Sequence, residues 1–168
     1  MLQLGTKAET LKNLYGKLQN AKVLNPYVFR TKEWKQDAKN IWNQIQHELP
    51  SEKWIVRSSA LNEDTEASSQ AGKFESVGDV SGQESFFSAV NTVIASFDDG
   101  NPDNQILVQP MLKNVKVCGV AFTMDPSTMG NYYVINYDTT GSTSAITSGT
   151  GMQNKLLYIF KGSNPKEE

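Results

Sequence analysis

Two cations in the first part of the chain stand where phosphate oxygens are commonly held. Lys7 follows Gly5-Thr6 at the start of a helical pattern, so an ammonium and free backbone N–H groups coincide at a helix N-terminus. A solvated lysine in a first helical turn fits the same residues, and the full P-loop spacing of Gly, four residues and Gly-Lys-Ser/Thr is missing. Arg57 closes the apolar run Trp54-Ile-Val and precedes Ser58, Ser59 and an acidic stretch. Its guanidinium can fork onto phosphate oxygens, or it can pair with Glu63 or Asp64. Gln109, in Leu107-Val-Gln-Pro-Met111, offers an amide to a base edge, with Met111 placed to pack on the ring beside it. An outward side chain on an alternating strand is the other reading of Gln109.

The remaining reactive side chains point away from catalysis. His47 falls in the last turn of a helical pattern just before Pro50, where the helix dipole accounts for it, and no triad partners lie near it in sequence. Cys118 sits between Val117 and Val120 and reads as a small buried hydrophobe. One cysteine and one histidine exclude an internal disulfide and a structural zinc site, so any metal would be an oxygen-bound ion such as magnesium, held largely by phosphates. No serine lies in a nucleophile-elbow pattern.

These residues need elements to hold them. Thr6-Lys-Ala-Glu9 has capping-box spacing, and Ala8, Leu11, Tyr15 and Leu18 continue as a helical stripe, stopped by Asn25-Pro26. Tyr27-Val-Phe-Arg30 reads as extended, and a second helix is expected from about Lys32 to His47, with Trp34, Ala38, Ile41, Trp42 and Ile45 on one face. Trp54–Ser58 reads as a strand, and residues 60–72 as a polar, mobile loop. Ser81-Gly-Gln-Glu84 repeats the capping-box spacing ahead of a third helix carrying Phe86, Phe87, Val90, Val93, Ile94 and Phe97. Four β-rich runs follow at about 105–111, 115–124, 131–138 and 155–161, with links too short for helical crossovers. The class is therefore α+β with a mainly antiparallel sheet, a helical and strand part over about 1–98 and a β-rich part over about 105–161. Residues 139–151, rich in Thr, Ser and Gly, lie between two of these strands.

Composition narrows the partners. The chain of 168 residues has a formal charge of −2, which gives no basic field for a nucleic-acid backbone. Its longest apolar run, starting at Cys118, is far too short to span a bilayer, and a cytoplasmic setting without membrane contact is expected.

Taken in order, the segments resemble the N-terminal ATP-binding domain shared by phosphoenolpyruvate synthase, pyruvate phosphate dikinase and rifampin phosphotransferase. Leu4-Gly-Thr-Lys-Ala-Glu-Thr-Leu11 is similar to the family's opening Gly-Gly-Lys-x-x-x-Leu, and Tyr27-Val-Phe-Arg-Thr31 to its Gly-Phe-Val-Ile-Thr. The most specific stretch is Val56-Arg-Ser-Ser-Ala60 with Glu63-Asp64, Ala67-Ser68 and Ala71-Gly72. Val108-Gln-Pro-Met111 and Gly119-Val-Ala-Phe-Thr-Met-Asp-Pro126 resemble Val-Gln-x-Met and Gly-Val-x-Phe-Thr-x-x-Pro.

The resemblance implies an ATP-grasp-like fold, here incomplete, with ATP as ligand and Mg2+ in the complete domain. It implies that Lys7 and Arg57 hold phosphates, that Gly72 and Ser76 match a glycine and a threonine at the edge of the phosphate loop, and that Gln109 and Met111 lie on the adenine side. In the parent protein ATP would phosphorylate a histidine on a separate mobile domain, and then pyruvate or another acceptor. Two departures stand out. Gly141-Ser-Thr-Ser144 occupies the place of the family's Gly-Leu-Gly-Glu, so no carboxylate stands there, and the family's later Asp-Ile-Glu and Leu-Gln-x-Arg strands have no counterpart before Glu168. This chain alone is therefore expected not to turn ATP over, and an uncovered sheet edge around 131–161 is expected to favour self-association. The alternative is a non-catalytic module that senses a nucleotide or scaffolds a partner.

Overall fold

The computed structural model describes residues 5–61, 64–65, 68–69, 75–141 and 154–162. The chain forms two compact units, residues 1–111 and 112–168.

The first unit is built on a four-stranded sheet. Its strands are β1 (Tyr27–Arg30), β2 (Trp54–Ser59), β5 (Ser76–Val80) and β6 (Gln105–Pro110), in the order β1-β6-β2-β5, with every neighbouring pair antiparallel. A short hairpin, β3 (Asp64–Thr65) with β4 (Ser68–Ser69), lies in the connection after β2. Side chains alternate across the sheet, so Trp54 and Val56 of β2, Ile106 and Val108 of β6 and Phe29 of β1 share the core. Helices α2 (Thr31–Glu48) and α3 (Gly82–Ala95) cover that face with Trp34, Ile41, Ile45, Phe86, Val90 and Val93.

Aromatic rings fill the layer. Trp42 stands with its ring 5.2 Å from Phe86 and 5.8 Å from Trp54, and Trp34 meets Phe87 at 4.8 Å. The buried indole donors are satisfied: Trp54 Nε1 donates to the Leu49 carbonyl at 3.0 Å and Trp34 Nε1 to Asn91 Oδ1 at 3.2 Å. Burying a side chain such as Phe86 or Ile45 contributes about 1.5–3 kcal/mol before chain entropy is counted, so this layer holds the unit together. Helix α2 is bent at Asp37, whose φ of −153° is non-helical; its Oδ1 accepts the Asn40 N–H at 3.0 Å and so caps the second half anew.

One helix boundary and one helix cap differ from the sequence pattern. Helix α1 (Lys7–Leu14) ends well before Asn25-Pro26, because Gly16 adopts φ +71° and Lys17 N–H closes onto the Leu14 carbonyl at 3.0 Å. Tyr15 and Leu18, expected on its apolar stripe, are exposed. At α3 the Ser81 side chain makes no capping hydrogen bond, so the spacing Ser81 to Glu84 does not form a capping box there.

The second unit is a three-stranded antiparallel sheet of β7 (Cys118–Phe122), β8 (Tyr132–Asp138) and β9 (Lys155–Phe160), in that order. Asp125 shapes the turn after β7, accepting from the Thr128 hydroxyl at 2.6 Å and from Ser127 N at 3.0 Å, which holds its carboxyl below the usual range. The class is α+β with antiparallel sheets throughout. The strand β6, which the sequence groups with the later β-runs, pairs instead with β1 and β2 of the first unit. The mobile-loop expectation for 60–72 and the Thr/Ser/Gly segment 139–151 fall largely outside the described residues.

Candidate functional site

The end of β2 is where the phosphate candidates gather. Helix α1 is short, and its first turn is tied to the sheet by side chains rather than by a hydrophobic stripe. Thr6 caps it: the Thr6 hydroxyl accepts the Glu9 N–H at 3.2 Å while Glu9 Oε2 accepts the Thr6 N–H at 3.0 Å. The Ala8 N–H donates to Ser59 Oγ at 3.0 Å. Three of the backbone donors expected to be free at this terminus are thus occupied, and the anion-holding capacity of the turn rests mainly on Lys7.

Lys7 Nζ donates to the backbone carbonyl of Ser58 at 3.3 Å. Its neighbour Arg57 is half-buried, paired in register with Ser76 on β5 and Leu107 on β6. The Arg57 Nε atom is buried and has no hydrogen-bond partner among the described residues. An N–H that gives up water without a partner is costly, and such groups are uncommon in folded proteins. Of the alternative ion-pair partners, Glu63 lies outside the described residues.

Gln109 lies further along β6, and Met111 directly follows its end. Gln109 faces Ile55 across the ladder, is 8% exposed, and donates from Nε2 to the Leu24 carbonyl at 3.4 Å. Met111 N donates to the Lys53 carbonyl at 2.9 Å, and its thioether lies over Gly78, where an added Cβ would stand 3.5 Å from the Met111 methyl. By strand alternation Gln105, Leu107, Gln109 and Met111 project from the side of β6 opposite the Ile106 and Val108 core positions. Gln109 and Met111 follow Leu107, the rung opposite Arg57, by roughly 7 and 13 Å along the strand. Ser76, opposite Arg57, is exposed, and Gly72 lies outside the described residues, as does Ser144.

Three contributors were not singled out from the sequence. Ser58 supplies a carbonyl to Lys7, Ser59 a hydroxyl to Ala8, and Gln105 its amide to both partners of the α1 cap. Glu9 is held below the usual carboxylate range, first by the Thr6 N–H and then by the Gln105 amide. No group of three or more His, Cys, Asp or Glu among the described residues is arranged to hold a metal ion.

With this geometry in place, the comparison with protein families is decisive. The model of the pyruvate phosphate dikinase AMP/ATP-binding domain matches residues 20–150. The chain belongs to that family. No curated protein matches it. Within this pyruvate phosphate dikinase AMP/ATP-binding domain, Arg57, Ser76, Gln109 and Met111 fall inside the matched span, whereas α1 and Lys7 precede it. The match covers most of the first unit and much of the second, and the α+β fold with antiparallel sheets is consistent with an ATP-grasp-like domain.

Proposed function

We propose that Lys7 and Arg57 hold the phosphates of ATP at the Ser58 end of β2, with Ser76 and Gly72 at the edge of the phosphate site and Gln109 and Met111 on the adenine side. The observation that carries this reading is the buried Nε of Arg57, without a hydrogen-bond partner among the described residues, one residue before the Ser58 carbonyl that Lys7 contacts, in a chain of an ATP-binding family. Two cations at one strand end suit a triphosphate, because phosphoryl transfer depends on positioning and on neutralising charge. Gln109 would meet the base through Oε1 while its Nε2 keeps the Leu24 carbonyl.

In the parent phosphotransferase, ATP would phosphorylate a histidine on a separate domain, which passes the group to pyruvate or another acceptor. Mg2+ would accompany the nucleotide, held largely by the phosphates, since no group of three or more His, Cys, Asp or Glu among the described residues is arranged to hold it. The groups placed at this site bind and orient phosphate. None of them is a base aimed at it, so this chain is expected to bind ATP weakly and not to hydrolyse it. We place the protein in the cytoplasm, without nucleic-acid partners; among the described residues no helix is long and apolar enough to cross a membrane.

Calorimetry with ATP and a phosphate-release assay on the whole chain test this reading together. Weak binding without turnover is expected, weakened further in Arg57→Met. Sustained magnesium-dependent hydrolysis that Lys7→Ala abolishes would show that the chain performs the chemistry itself.

A further inference from the structure

We propose that Gln105 is a positioning residue for Lys7, an inference that rests on the phosphate-holding reading of Lys7. An eight-residue helix such as α1 is marginal on its own, so its placement must come from tertiary contacts. Gln105 provides them from the first position of β6, where it is 7% exposed. Its Oε1 accepts the Thr6 hydroxyl at 2.6 Å, and its Nε2 donates to Glu9 Oε1 at 3.1 Å. The capping box closes the ring between Thr6 and Glu9.

The ring fixes the amide's orientation. The reversed amide would set its oxygen against the Glu9 carboxylate, so only one orientation satisfies both neighbours. Across the ladder Gln105 is paired with Ser59, whose hydroxyl takes the Ala8 N–H. One rung of the sheet therefore clamps the residues on both sides of Lys7, and the Lys7 ammonium is brought to the Ser58 carbonyl. An ammonium displaced from that position holds a phosphate oxygen less strongly.

A double-mutant cycle on ATP affinity tests the inference, read by chemical-shift titration of the whole chain with ATP up to millimolar concentration. Gln105→Leu is expected to weaken binding about three- to tenfold, the scale of one hydrogen bond's net worth. In a Lys7→Met background the same change is expected to cost nothing further, because its effect passes through Lys7. Gln105→Glu keeps the size and the acceptor for Thr6 but faces Glu9 with a second carboxyl. Compared with the unsubstituted chain at the same pH, it is expected to bind weakly at pH 8 and to recover at pH 5, where the two carboxyls share a proton. The inference is overturned if Lys7→Met weakens binding while Gln105→Leu does not, or if the Gln105→Leu loss is the same in both backgrounds. If Lys7→Met binds ATP as tightly as the unsubstituted chain, the phosphate reading of Lys7 itself fails, and the inference with it.

Discussion

The Lys7 ammonium lies 3.3 Å from the carbonyl oxygen of Ser58, a residue 51 positions away in the chain. Through that contact a helix-terminal cation is placed beside the strand residue that follows Arg57. Two cations from separate elements at one strand end are what the proposed phosphate site draws on.

Arg57→Met is expected to separate binding from stability. An unsatisfied buried donor costs about 1–3 kcal/mol, and methionine keeps much of the aliphatic packing without it. Stability should therefore be unchanged or rise by up to about 1 kcal/mol, while ATP affinity falls about tenfold. Thermal melts with and without ATP measure both.

The pH behaviour of the α1 cap has a defined sign. Glu9 titrates below 4.5 in the folded chain, so its contribution is present above that value and is lost as pH falls through the lower folded value. Following the Glu9 carboxyl by NMR should give a midpoint below 4.5, moving up toward 4.5 in Gln105→Leu as one of its donors is removed. An unchanged midpoint in the variant would show that Gln105 does not hold the carboxylate.

Much of this fold can be read from the chain, and its failures have physical causes. The spacing of Trp34, Ile41 and Ile45 gives α2, and the alternation in Trp54-Ile-Val gives β2, because both patterns are local. The end of α1 is not legible in the pattern because the deciding residue, Gly16, terminates the helix through a positive φ rather than through a change in hydrophobic pattern. Strand β6 reads as part of the later sheet by its position in sequence, yet it pairs with β1 from Tyr27↔Val108 to Arg30↔Gln105, and periodicity carries no information on such distant partners. Lys7 and Arg57 stand out by residue type. Gln105 does not, since an amide in a strand announces no partner 99 residues away.

Gly119 should tolerate no side chain. A Cβ there would stand 2.7 Å from the Asn136 carbonyl oxygen on the paired strand, so backbone would have to move. Gly119→Ala is expected to destabilise the second unit by about 1–3 kcal/mol, seen as faster amide exchange in β7 and β8.

Self-association is expected through the β7–β9 sheet. Every residue of β9 is exposed, with Leu156 at 56% and Phe160 at 62%, and apolar side chains on both faces of a strand are typical of covered strands. Light scattering over a concentration series should show a rising mass, abolished by the double change Tyr158→Lys and Phe160→Lys. A monomeric mass at all concentrations would remove this expectation.

The central proposal, that phosphate is held by Lys7 and Arg57 at the Ser58 end of β2, is tested most directly by mapping ATP-induced amide shifts residue by residue. The largest shifts are expected at Ala8, Ser58, Ser59 and Ser76, and they should shrink in both Lys7→Met and Arg57→Met. Shifts confined instead to the start of α3 at Gly82–Ser85, or to β7–β9, would contradict it.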